Sequence, residues 1–187
     1  MPPAEVTTWS LEMRDRAQLR PAPPPPLDVM LMRAQLPSPE LGRFLYTAVG
    51  GDWHWIDRLG WSYAEWQERL ARPGVETWVA YVCGTPAGYF ELDLDDEGTV
   101  EIAYFGLLPQ FIGKGLGGWL LTKAIERAWE LGAARVWVHT CSLDGPSALA
   151  NYEARGLTIF KTETAKQAVG EEPPGPWPDA RRSDLIT

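Results

Sequence analysis

Three groups of residues in this chain have the types and spacing to do chemistry, and all lie between residues 101 and 156. One is the glycine-rich run Pro109-Gln110-Phe111-Ile112-Gly113-Lys114-Gly115-Leu116-Gly117-Gly118. It follows an apolar run and precedes a strongly periodic one. A strand, a glycine turn and a helix start place several free backbone N–H groups at a helix N-terminus, where they and the dipole attract an anion. Glycines let the backbone approach a phosphate because no Cβ intervenes, and Lys114 adds a charge. A second group centres on Glu101, which interrupts the apolar run Glu101-Ile102-Ala103-Tyr104-Phe105-Gly106. An acid there has the chemistry of a general base, and partial burial raises its pKa and strengthens it. The third comprises His139 and Cys141 and, further on, Asn151-Tyr152.

The turn alone does not say which phosphate it holds, and it could be a tight turn with no ligand. Gly113, Gly115 and Gly118 satisfy G-x-G-x-x-G, a dinucleotide fingerprint. A dinucleotide unit has an acid about 20 residues on, at the end of its second strand. Here that strand ends in His139 and Thr140, and Asp144 comes too late. Three antiparallel-type strands also precede the turn, where a doubly wound domain begins with it. The Gly-Lys-Ser/Thr of a P-loop is missing.

His139 and Cys141 share one face if their strand extends that far. Adjacent strand positions seldom orient a thiol and an imidazole for proton transfer, so a Cys–His nucleophile is the weaker reading. The two histidines and two cysteines show no metal-ligand spacing, so no metal is expected.

These residues need a scaffold. Alternation over 8–13 (Trp9, Leu11, Met13) marks a short strand, and the prolines of 21–26 an extended connector. A strand is expected over 29–36. Ser38 and Pro39 then open a helix to about Val49. Residues 62–72 form a second helix with a Ser62/Glu65 capping box, ended by Pro73-Gly74. The period then changes: 76–83 and 86–95 read as a hairpin about Gly84-Thr85, and 99–108 as a further strand. Leu116, Leu120, Ala124 and Ala128, widened by Leu121 and Ile125, make 116–131 the clearest helix, with Gly132 as its cap. A buried-type strand (135–140), a short helix (146–155) and a last strand (158–162) follow. The sum is a mixed α/β sheet flanked by helices.

On these residues the chain resembles the GNAT N-acetyltransferases. Gln110-x-x-Gly113-x-Gly115 matches that family's Q/R-x-x-G-x-G/A signature, and Asn151-Tyr152-Glu153-Ala154-Arg155-Gly156-Leu157 resembles its next motif. The resemblance spans about 29–162. It implies an α/β fold with a mixed, mostly antiparallel twisted sheet, splayed in the middle, within a domain at 27–164. Residues 1–26 then form an N-terminal strand and connector, and 165–187 a Pro/Gly-rich tail. It implies acetyl-CoA as acyl donor, with Gln110, Ile112, Gly113, Lys114, Gly115, Leu116, Gly117 and Gly118 around its pyrophosphate and Asn151 beside its arm. Backbone N–H groups near Leu107 or Leu108 would meet the developing oxyanion. Glu101 resembles the strand glutamate that serves as base in some members, and Tyr152 the usual general acid. The linker between the first two helices helps wall the family's acceptor site. Here it is Gly51-Asp52-Trp53-His54-Trp55-Ile56-Asp57-Arg58. Trp53 and Trp55 with an acid could hold an amine by cation–π and ionic contacts, or the segment could be a surface corner pinned by an Asp57–Arg58 or similar pair. His139 is an additional acceptor-side candidate.

Composition narrows the partners. The chain has 187 residues, is 45% hydrophobic and carries a net charge of -8, which suits one soluble domain and opposes a nucleic-acid surface. Ten tryptophans mostly fill core, with some lining a pocket. Two cysteines do not make a disulfide framework, and both read as small buried strand residues. With neither a bilayer-spanning run nor a signal sequence, no membrane association is expected and the cytoplasm is the default compartment. The reading favoured is acetyl transfer to a small-molecule or peptide amine in a ternary complex. The alternatives are a non-catalytic acyl-CoA-binding module and a nicotinamide or flavin enzyme. A homodimer would accord with the family's habit.

Overall fold

Apolar periodicity and capping chemistry produce the elements in the computed structural model, which describes residues 4–168. The strands are β1 (Ala4–Met13), β2 (Val29–Ala34), β3 (Val75–Val82), β4 (Thr85–Leu94), β5 (Thr99–Leu107), β6 (Arg135–Cys141) and β7 (Thr158–Gln167). The helices are α1 (Pro39–Gly50), α2 (Tyr63–Ala71), α3 (Leu116–Glu130) and α4 (Ala148–Ala154). Ser38 caps α1 by accepting from Leu41 N–H, and the Ser62/Glu65 capping box opens α2. The tail read from 171–179 lies outside the described residues.

All seven strands form one sheet in the order β2-β3-β4-β5-β6-β1-β7. Each neighbouring pair is antiparallel except β5–β6, which is parallel because α3 crosses between them. The sheet is therefore mixed and mostly antiparallel. β1, read from the sequence as a short strand ahead of the domain, is an interior strand between β6 and β7. Pairing with it extends β7 to Gln167, beyond the expected 158–162. A run with so little apolar patterning becomes a strand because its neighbour supplies the ladder.

The two faces of the sheet bury different helices. Phe90 and Leu92 of β4 pack with Leu120, Leu121, Ala124, Ile125 and Ala128 of α3. The alternate residues Ala87 and Tyr89 pack with Leu45 and Val49 of α1. Burying one such leucine fully contributes about 1.5–3 kcal/mol. The β3–β4 turn is Cys83-Gly84, both with positive φ (49° and 77°), one residue earlier than expected. Cys83 is therefore an exposed turn residue, correcting its reading as a buried strand residue. Tight two-residue hairpin loops require that left-handed conformation.

Candidate active site

The glycine turn is built to leave backbone groups free. Phe111 is buried and anchors it, while Ile112, Gly113, Lys114 and Gly115 are exposed. Gly113 and Gly115 adopt φ of 80° and 77°. Gly115 is the N-cap of the fifteen-residue α3 and offers no side-chain hydrogen bond, so the first N–H groups of α3 have no capping partner. A Cβ built on Gly113 would meet nothing within 4 Å, so the turn is open on that side. At Gly118 a Cβ would lie 2.3 Å from Arg155 Nη1 and 3.1 Å from Ala22 Cβ, so a side chain there would displace the Arg155 guanidinium. Lys114 Nζ, 5.8 Å from the Phe111 ring, supplies positive charge. Open glycines, unpartnered N–H groups and a cation fit a diphosphate. Gln110 is exposed at the turn's entry. The Leu116 side chain is fully buried in the core, so only its backbone is left to face the turn.

Next to the turn the sheet opens. β5 and β6 pair only at Thr99–Arg135, Val100–Val136 and Glu101–Trp137, and separate beyond. Leu108 N–H donates to Ala87 O at 2.9 Å, so it is not free, a correction to its expected role. Antiparallel hydrogen-bonding alternates residue by residue. Leu107, opposite Gly88, therefore turns its N–H away from β4 and toward the splay. Of the two amides considered from sequence, Leu107 is the available one.

α4 closes the far side. Asn151 Nδ2 donates to Gly117 O at 3.5 Å, tying α4 to the first turn of α3. Tyr152 is 6% exposed, and its ring meets Phe105 edge-on at 6.1 Å between centroids. Its hydroxyl has no hydrogen-bond partner among the described residues. Burial, with a smaller contribution from Asp144, pushes its pKa far above the ordinary tyrosine value.

Leu107, Asn151 and Tyr152 line a cavity of about 900 Å³ that passes through the splay. On the α3–α4 side it reaches Ile112, Gly113, Gly117 and Gly118. On the α1 side it reaches Trp53, Trp55, Tyr104, His139 and Asp144. Two ligands can therefore meet in one space, one from each face of the sheet.

Glu101 does not line this cavity, although His139 does. The Glu101 carboxylate lies 3.4 Å from His139 Nδ1. Glu101 raises the imidazole pKa above its ordinary value; burial opposes this, while Asp144 and Asp57 reinforce it. The base expected directly at the site thus stands behind a histidine that reaches it. Cys141 also lines the cavity, with a thiol pKa raised by burial. A thiol so shifted is a poor nucleophile at neutral pH.

The 51–58 segment is both a pinned corner and a cavity wall. His54 takes a left-handed conformation (φ 57°), which reverses the chain after a turn of 3-10 helix at Gly51–Trp53. A Cβ on Gly50 would lie 2.2 Å from the Trp55 ring, so that indole seats directly on the glycine. Trp55 Nε1 donates to Asp144 Oδ1 at 3.3 Å. Asp57 accepts from Tyr46 Oη at 2.6 Å and from Tyr104 Oη. Arg58 does not pair with Asp57. It makes a buried two-pronged bond to Glu91, 3.0 Å on each arm, with its guanidinium 4.2 Å from the Tyr104 ring centroid.

The structure therefore gathers Leu107, Ile112, Gly113, Gly117, Gly118, Asn151, Tyr152, Trp53, Trp55 and His139 around one cavity. It leaves Glu101, Leu108, Gln110, Lys114, Gly115 and Leu116 outside its lining. Tyr104 and Asp144 carry no role in the sequence reading, and Asp57 enters it only as an acid of the 51–58 corner. Asp144 accepts from Cys141 N–H (2.9 Å) and Thr140 Oγ1 (2.7 Å), both behind it in sequence, across the turn that its own N–H closes on Cys141 O (3.0 Å). No local signal marks the Tyr46–Asp57–Tyr104 cluster, which three separate elements assemble. Among the described residues no three His, Cys, Asp or Glu side chains converge as a metal site, and no helix is long and apolar enough to cross a membrane.

Several solved structures share this fold. A GCN5-related N-acetyltransferase from Kribbella flavida superposes with a TM-score of 0.61 at 21% identity, over 83% of this chain but only 55% of its own. This chain thus spans little more than half of that protein. An aminoglycoside acetyltransferase from an uncultured soil metagenomic sample matches at TM-score 0.57 and 15% identity, covering 68% of this chain and 86% of its own. An IAA acetyltransferase from Bacillus cereus matches at 0.53 and 26%, covering 72% and 79%. No curated protein sequence matches the chain. The model of the acetyltransferase (GNAT) family matches residues 41–157, more than half the chain and inclusive of the glycine turn, the splay and α4. The protein belongs to the GNAT acetyltransferase family.

Proposed function

We propose that this protein is an acetyl-CoA-dependent N-acetyltransferase that transfers the acetyl group to a primary amine by direct attack in a ternary complex. The observation that carries the reading is the single cavity running through the β5–β6 splay from the glycine turn to the acidic, aromatic wall at Trp53–Asp57.

In this reading the N–H groups at the start of α3, with Lys114, hold the pyrophosphate, and Asn151 borders the pantetheine arm. Leu107 N–H meets the thioester carbonyl, where negative charge develops during attack. An alkylamine with a pKa of about 10.4 arrives protonated and must shed that proton before attacking. His139 accepts it, and Glu101 behind it stabilises the resulting imidazolium. As the C–N bond forms and the C–S bond breaks, the leaving sulfur gains negative charge. Tyr152, still protonated at any working pH, donates to it. Cys141 has no part, because burial disfavours its thiolate.

The test is titration calorimetry with acetyl-CoA, CoA and NADH, followed by thiol-release assays over an amine library. Micromolar binding of both CoA compounds, lost in Gly115→Glu with the melting temperature retained, supports the reading. NADH binding without CoA binding overturns it. Binding without turnover on any amine would leave an acyl-CoA-binding module in its place.

A further inference from the structure

The half of the cavity facing α1 carries a specific chemistry. Its walls are aromatic: Trp55 and Tyr104 meet at 4.9 Å between ring centroids, and Trp53 completes the side near Gly145. A carboxylate stands beside each end of this wall. Asp57 is held by the Tyr46 and Tyr104 hydroxyls, and Asp144 by Thr140 Oγ1, Cys141 N–H and Trp55 Nε1. Every one of these donors is neutral, and neither carboxylate has an ion-pair partner among the described residues. Trp55 belongs to both sets, since its indole bonds Asp144 while its ring rests on the tyrosine that bonds Asp57.

Among the described residues no lysine or arginine lines the cavity. Arg58, next to Asp57 in sequence, lies against the Tyr104 ring and is paired with buried Glu91, which Arg69 shares. The two lining histidines are His54 and His139, and the latter is turned to Glu101. A ligand here meets two carboxylates held by neutral donors on an apolar aromatic surface. An ammonium is favoured by both features, through ionic and cation–π attraction. A carboxylate on the same ligand would be repelled by Asp57 and Asp144 and would find no lysine or arginine among the described lining residues to receive it.

We propose that the acceptor is an amine with an aromatic or similarly apolar body and no carboxylate, its nitrogen drawn in by Asp57 and Asp144 and its body laid on Trp55 and Tyr104. This rests on the acetyl-transfer reading and narrows it to a substrate class. Free amino acids are excluded by charge; decarboxylated amines of the same size are admitted. Asp57 acts as a specificity residue for the acceptor and touches nothing on the CoA side.

Matched pairs test this without any variant. With the full chain and saturating acetyl-CoA, thiol release is measured for tryptamine against tryptophan and for phenethylamine against phenylalanine. The amine of each pair should show kcat/KM at least ten-fold above its amino acid. Asp57→Asn should raise KM for the amine ten-fold or more and leave KM for acetyl-CoA unchanged. Equal or better use of the amino acids overturns the proposal, as does an Asp57→Asn variant with unchanged amine KM. Turnover of small hydrophilic amines alone would also overturn the substrate class while sparing the transferase reading. Failure to bind acetyl-CoA, read separately by calorimetry, would remove both.

Discussion

Replacing Tyr152 by phenylalanine isolates one oxygen atom. The phenol ring fills the space between α4 and β5 and meets Phe105 edge-on at 6.1 Å, and phenylalanine keeps that packing. Because the hydroxyl has no partner among the described residues, its removal leaves no stranded donor or acceptor in the core. The stability cost should stay under about 1 kcal/mol, the net worth of an ordinary hydrogen bond. Catalysis should respond differently. A positioned proton donor contributes about 10²–10⁴-fold, or about 2.7–5.4 kcal/mol of barrier at 1.36 kcal/mol per decade. The assay is initial-rate thiol release at saturating acetyl-CoA, with calorimetric CoA affinity and thermal denaturation measured beside it. The expected result is kcat lower by two or more decades, with CoA binding and melting temperature nearly unchanged. A kcat within three-fold of wild type would refute the argument from geometry, since a buried phenol lining the splay would then have no part in the transfer. A variant that loses rate only in proportion to lost stability would refute it equally.

Two further perturbations probe the supports behind the site. Glu101→Gln removes the main influence raising the His139 pKa, leaving only the smaller contributions of Asp144 and Asp57. The base must be neutral to accept a proton, so the acidic limb of the kcat/KM profile should move to lower pH; an unmoved limb would separate Glu101 from His139 in function. Glu91→Gln strips the counter-charge from Arg58, whose side chain is 7% exposed, while Arg69 keeps its pair with Asp93. Breaking a buried pair from one side costs about 3–5 kcal/mol, or about 6–20 °C in melting temperature for a chain of this size. Thermal denaturation checks it, and a fall of less than 2 °C would mean that Arg58 is hydrated rather than held. Arg58 directly follows Asp57, so the amine KM should rise in this variant while the acetyl-CoA KM holds.

Local chemistry made the cofactor half of this protein legible in its sequence. A capped helix is a short-range event: Ser38 reaches Leu41, and Ser62 exchanges bonds with Glu65, each three residues away. The glycine turn is likewise local, because φ near +80° at Gly113 and Gly115 excludes most side chains whatever surrounds them. The splay was available only through the family resemblance. Its geometric basis, a parallel β5–β6 contact of three residue pairs, depends on strands more than thirty residues apart.

The acceptor half depends on still longer distances. Tyr46, Asp57 and Tyr104 come from α1, a loop and β5, and only packing of α1 on the sheet brings their oxygens together. Trp55 meets Asp144 across 89 positions of sequence. Glu101 and His139 lie on neighbouring strands; the sequence marked both but not that the histidine reaches the cavity and the acid does not. The interior place of β1 is equally non-local, since ten residues at the N-terminus pair with strands that follow β5. By itself, then, the sequence determined the helices, the turn and most strands, because backbone preference and apolar period act over a few residues. Tertiary structure alone decided which carboxylates line the α1 side of the cavity, because a carboxylate's surroundings are set by the neighbours that fold around it.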